Sequence, residues 1–115
     1  MQKNSINRVI LVGHLGSEPE SRYTKSGRAV SSFSLATNES WKQQEGFATE
    51  HTEWHSLVAW DKLAEFAQQY LYKGQLISIE GKIHSRKWEN KSGDPRKKTE
   101  IVCSNIVPLE WKKST

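Results

Sequence analysis

The stretch TEWHSLVAW, residues 52–60, places Thr52, Trp54, Ser56, Val58 and Trp60 on one alternation and Glu53, His55, Leu57 and Ala59 on the other. Alternate residues of a strand share a face, and six residues span about 20 Å, so the two indoles stand well apart along one side. Trp88 in SRKW shares its parity with Arg86, opposite to Ile77, Ile79 and Ile83, so inward isoleucines turn ring and guanidinium outward. Trp41 stands between Ser40 and Lys42 at the start of a polar loop, without an apolar pattern to bury it. Cations lie within a few residues of these rings: Lys42, Lys62, Arg86 and Lys87. Flat apolar faces interleaved with cations suit unpaired nucleic acid, where each base stacked on a ring contributes about 1–3 kcal/mol whatever its identity. A duplex hides those faces. The competing use of each ring is packing: Trp54 beneath the long loop, Trp60 on the element after it, and Trp111 near the end of the chain.

Other chemistries find little support. The histidines are His14, His51, His55 and His84. His51 and His55 are four apart, about 13 Å on a strand, too far to share an ion. HTEWH lacks the order of the HExxH zinc motif. The glycines of GHLG make neither a phosphate loop nor a dinucleotide fingerprint, and no serine sits in a G-x-S-x-G elbow. Asp61, Glu65, Glu80 and Asp94 belong to different segments, whereas a metal-dependent nuclease needs clustered carboxylates. No catalysis, cofactor or metal is expected. A nuclease and an RNA-binding module remain the rival readings.

The composition agrees with a binding role. The 115 residues suffice for one domain, expected over 1–115. Only 35% are hydrophobic, yet five are Trp, three Tyr and three Phe, more rings than a small core requires. Lys and Arg outnumber Asp and Glu by 17 to 13, a mild +4 that favours an anionic partner. The lone Cys103 cannot pair within the chain and reads as a small buried hydrophobe. With no long apolar stretch and no cleavage pattern at the start, a cytosolic protein without membrane contact is expected.

The elements that must position these residues follow from periodicity. NRVILVGHLG reads as a first strand ending at the turn signals GSEPE. A turn at Lys25-Ser26-Gly27 introduces a second strand, in which Phe33, Leu35 and Thr37 share a face. The third runs over roughly residues 49–60, after the polar loop WKQQEGFATE. In DKLAEFAQQYLYKG, Leu63, Phe66, Ala67, Tyr70 and Leu71 recur at helical spacing, with Asp61 a candidate N-cap and Gly74 a candidate C′ residue. QLISIEGKIHSRKW and KKTEIVCSNIVPLEW are strands joined across ENKSGDPR, with Pro108 interrupting the last. Three strands, one helix and two strands is the connectivity of the all-β OB-fold, a five-stranded Greek-key barrel with its helix between strands 3 and 4. Another small β-barrel or an α+β domain shares parts of this pattern.

Nearly the whole chain resembles the bacterial single-stranded DNA-binding protein (SSB) family. The likeness is carried by NRVILVGHLGSEPESRYTKSG, AVSSFSLATNESW, TEWHSLVAWDKLAEFAQQYLYKG and IEGKIHSRKW, and TEI near Thr99 opens the last strand. The resemblance implies sequence-independent binding and protection of single-stranded DNA in replication, recombination and repair. It implies base stacking on Trp41, Trp54, Trp60 and Trp88, the third of these often phenylalanine in relatives. Phosphate contacts are implied for Arg22, Lys62, Lys73, Arg86 and Lys87, and a subunit contact for His55. A homotetramer in the bacterial cytoplasm, at the nucleoid, is the implied assembly. Two departures weaken the cationic track, since Ser56 and His84 stand where relatives are often basic. The sequence also ends at EWKKST without the family's linker and acidic tip, so tail-mediated docking of replication and repair proteins is not expected from it.

Overall fold

The computed structural model describes residues 4–42, 46 and 48–111. Most of the polar loop after Trp41, the Lys42 side chain and the last four residues lie outside the described residues. The elements are β1 (Val9–Leu15), β2 (Glu20–Tyr23), β3 (Ala29–Lys42), β4 (Ala48–Trp60), α1 (Asp61–Tyr70), β5 (Leu76–Glu89) and β6 (Pro95–Pro108).

Neighbouring strands run β1–β5–β6–β4–β3, and β1 pairs back onto β3 at His14–Ala36 and Leu15–Leu35. Five strands therefore close into a barrel, with the helix between the third and fourth of them, as the OB connectivity requires. Closure uses one short parallel contact, Leu57 beside Ile101 and Val58 beside Val102. β2 goes beyond the sequence reading. Its four residues continue the edge of β3 that β1 leaves, and all are exposed, so no apolar alternation marked them as a strand.

The interior takes Leu15, Phe33, Leu35, Leu57, Ile77, Ile79, Ile101 and Ile106, one alternation from each strand except β6. There the register irregularity between Cys103 and Asn105 brings Ile101 and Ile106, of opposite parity, to the same side. Cutting one such Leu or Ile back to Ala costs about 2–5 kcal/mol, so this alternation fixes which residues can face outward. α1 packs on β3 and β4 through buried Ala64 and Ala67, with Leu63 and Phe66 against the same cluster. Cys103 is buried as expected, and desolvation pushes its thiol up to about 12.

Three local expectations need correction. Asp61 does not cap the helix: Trp60 occupies that position without a side-chain bond, and the Asp61 carboxylate turns to Arg28. Gly74 is not the residue that ends the helix. Leu71 already adopts extended backbone to bury its side chain, and Gly74 (φ +89°) makes the later turn whose N–H reaches the Leu15 carbonyl at 2.8 Å. Ile83 does not point into the barrel but is 52% exposed. The register of β5 and β6 shifts at Glu80/Gly81, and beyond it β5 leaves the barrel, its residues 82–89 all exposed. β6 stays in the barrel wall at Ile101 and Val102, beside β4, and only its residues 95–100 join β5 in a two-stranded arm. Gly81 permits that departure, because a Cβ there would press into the Val102 carbonyl.

Candidate nucleic-acid interface

The outward alternation of β3 and β4 forms the floor of a groove. Val30, Ser32 and Ser34 lie opposite Trp60, Val58 and Ser56. Small side chains keep this floor low, while Glu20 and Arg22 of β2 form one wall and Arg86, Lys98 and Glu100 of the arm form the other. These walls explain why Val58 is buried although it faces away from the core. Trp60 lines one end, half-buried. Trp54, on the same face and 60% exposed, stands opposite Ala36 with its ring laid over Gly16. The two indoles of the 52–60 stretch thus share a face, and neither is sealed inside.

The arm supplies the next ring. Asn90 builds its turn, accepting N–H groups from Ser92 at 3.0 Å and Asp94 at 2.9 Å through Oδ1, with Gly93 at φ +82°. That turn sets a register in which Trp88 faces Arg96, Arg86 faces Lys98 and Lys87 faces Lys97. Like charges directly opposite destabilise a sheet, so two such pairs in succession favour a bound anion. Arg86 is paired with an acid, its Nε donating to Glu100 Oε1 at 3.2 Å. The same guanidinium lies 5.1 Å from the Trp88 ring centroid, and Trp88 remains 42% exposed. Lys87, Trp88, Glu89, Pro95, Arg96 and Lys97 line a shallow recess beside it, three cations to one acid.

The remaining sequence-derived residues are more scattered. Trp41 is 48% exposed and pairs with Thr49, which by strand alternation puts it on the opposite face of the β3–β4 hairpin from Trp54. That face also carries His51 and Glu53, joined at 2.9 Å, and the hydrogen bond from His51 holds the Glu53 carboxyl below its ordinary range. His55 is half-buried there, its Nε2 2.9 Å from Thr37 Oγ1. Arg22 lines the groove, and Lys87 flanks Trp88. Lys62, at the start of α1, and Lys73, in the turn after it, are exposed but line neither the groove nor the arm's recess. Ser56, the departure noted above, lies on the groove floor.

Sequence reasoning missed Arg28, Arg96 and Lys98. Arg96 and Lys98 alternate in PRKKTE, a pattern visible in the sequence, but their partners become known only with the hairpin register. Arg28 comes from a turn and reaches Trp60 because Val30 pairs with it: its Cζ stands 4.5 Å from the Trp60 ring centroid. Asp61 grips the same guanidinium at 3.2 and 2.9 Å, and these bonds lower the Asp61 carboxyl and raise Arg28 from their ordinary values. A wider depression between Ile6, Arg8, Glu80 and Val102 lacks aromatic side chains, and Arg8 there is paired with Glu80 at 3.1 Å. Among the described residues, no three His, Cys, Asp or Glu side chains are grouped to hold a metal ion, and no helix is long and apolar enough to cross a membrane.

A closed OB barrel crossed by an open groove, with rings and cations spaced along it, is a module that binds an extended chain rather than a small enclosed ligand. Comparison with known proteins narrows that class. The profile of the Single-strand binding protein family matches residues 6–109. Single-stranded DNA-binding protein 1 of Chlorobaculum tepidum is 49% identical over 110 residues, covering 95% of this chain and 68% of the relative. The single-stranded DNA-binding protein of Neisseria meningitidis serogroup A is 48% identical over 105 residues, covering 91% of this chain and 60% of the relative. Among solved structures, a Plasmodium falciparum SSB in complex with ssDNA superposes with a TM-score of 0.81 at 33% identity, covering 96% of this chain and all of that one. A deletion mutant of the single-stranded DNA binding protein from Thermus aquaticus gives 0.79 at 32% identity, over 91% of this chain and 51% of that one. The chain belongs to the single-strand binding protein family.

Proposed function

We propose that this protein binds single-stranded DNA without regard to sequence and protects it during replication, recombination and repair. The carrying observation is the arrangement of Trp54, Trp60 and Trp88, each open to a partner, beside Arg22, Arg86, Lys87, Arg96 and Lys98. Bases stack on the three indoles while phosphates run past the cations, and Trp41 extends the path on the far face of the hairpin. Lys62 and Lys73 meet DNA that leaves the groove around the helical side of the barrel.

The working form on this reading is a homotetramer in the bacterial cytoplasm, at the nucleoid. Ile10 and Val12 of β1 and Val107 of β6 stand exposed on the two strands that flank β5, Val12 and Val107 both pairing with Ser78. Such a patch favours burial against other subunits, with His55 at a second contact. Light scattering at several concentrations tests the number of subunits. Titration with poly(dT), followed by indole emission at two salt concentrations, tests the binding. Strong quenching that weakens with salt is expected, and an unchanged spectrum at saturation contradicts the stacking role. A strand of dU read beside rU of equal length separates this reading from an RNA-binding one, because no dependence on the 2′-hydroxyl is expected.

A further inference from the structure

We infer that Arg28 and Asp61 form a clasp that fixes the Trp60 indole as a one-sided stacking platform, making both positioning residues for base binding. The inference rests on the reading above, that Trp60 receives a base. An indole has two faces. Arg28 lies over one, 4.5 Å from the ring centroid. The groove is lined by Trp60 and not by Arg28, so the guanidinium covers the rear face and leaves the front one for a base. Its own position is fixed by two bonds to Asp61, Nε to Oδ1 at 3.2 Å and Nη2 to Oδ2 at 2.9 Å. The three residues come from the turn before β3, the last position of β4 and the first of α1. Each part depends on the others.

The backbone is shaped to the same end. Asp61 adopts φ +57°, a left-handed conformation that Asp tolerates better than most residues. This turns the chain sharply between strand and helix as the carboxylate meets Arg28. A half-exposed indole at a strand end would otherwise exchange rotamers, and a stacking base would have to stop that motion at its own expense. Holding the ring beforehand removes that loss, which is how preorganisation raises affinity.

Charge alone and positioning predict opposite signs for one substitution. Asp61→Asn deletes a negative charge near the DNA path and keeps the tolerance for positive φ. If only electrostatics mattered, binding would tighten. With the clasp, binding to a short oligothymidylate weakens by about 2–5-fold, the range of one exposed cation–π contact with its supporting ion pair. Arg28→Gln should lose a similar factor, and the double variant should lose no more than either single one, because all three remove the same device. In a background whose other tryptophans are Phe, Asp61→Asn should also speed the anisotropy decay of Trp60 in the free protein, while the melting temperature stays within a few degrees. Equal or tighter binding by Asp61→Asn overturns the inference, as do strictly additive losses in the double variant. In the same background with Arg28 and Asp61 intact, Trp60 emission that ignores bound DNA removes the base-binding reading itself, a failure distinguishable from that of the clasp alone.

Discussion

The contact between Gly16 and Trp54 allows the stacking assignment to be tested without touching a ring. A Cβ at position 16 would stand 2.6 Å from Ser34 Oγ and 3.2 Å from Trp54 Cε3, with Cζ3 nearer still. Gly16→Ala therefore forces the indole outward by roughly 1–2 Å to recover an ordinary contact of about 3.5–4.0 Å. The ring can yield because it is largely exposed, and Ser34 can rotate its hydroxyl. The barrel should thus lose only about 1 kcal/mol or less, below the 1–3 kcal/mol of overpacking in a closed core. The base that stacks on Trp54 loses its seat. Removing one stack costs about 1–3 kcal/mol, which is roughly 5- to 150-fold in Kd, and Trp54→Ala marks the full loss. Gly16→Ala should fall between wild type and Trp54→Ala in an anisotropy titration with labelled oligothymidylate, at a nearly unchanged urea midpoint. Wild-type affinity in Gly16→Ala, with the ring shown to have moved by its altered emission, would refute the claim that Trp54 stacks from this position.

Three further outcomes follow from the geometry. Trp41→Ala should be silent on an oligonucleotide that fills only the groove and should cost about 1–3 kcal/mol on a strand long enough to pass round the hairpin; equal losses at both lengths would place Trp41 with the other rings. Lys98→Ala should lower the slope of log K against log salt by about 0.7, one neutralised phosphate on a single strand, and an unchanged slope removes Lys98 from the path. Cys103, with its thiol raised to about 12 by burial, should resist a thiol-specific reagent at pH 8 until urea unfolds the barrel. Stability should also fall between pH of about 9 and 12, where the folded chain keeps a proton that the unfolded chain releases. Rapid labelling of the native protein would contradict the burial.

Much of the barrel was legible because its signals are local. Alternation in Phe33–Leu35, Leu57–Ala59 and Ile77–Ile79 marked the inner faces, and the helical spacing of Leu63, Phe66 and Ala67 located α1. The turns at Gly27 and Gly93 were legible for the same reason, since glycine there meets a backbone need fixed within a few residues. Ile83 misled because its alternation continues across a register shift that only the pairing of β5 with β6 reveals. Asp61 misled because a helix-start carboxylate was free to choose Arg28, a partner 33 positions away.

By itself, then, the sequence determined the order of the five barrel strands and the helix, and the one face that carries Trp54 and Trp60. The family likeness added the expectation that Trp41, Trp88 and five cations meet single-stranded DNA. Only the tertiary structure decided which of those groups meet. Barrel closure set β2 and the arm as two walls, the hairpin register set Arg86 against Lys98 and Trp88 against Arg96, and strand parity put Trp41 across the hairpin from Trp54. The reason is physical: periodicity specifies the face a residue takes on its own strand, whereas neighbours across strands depend on register and closure, which the packed core selects as a whole.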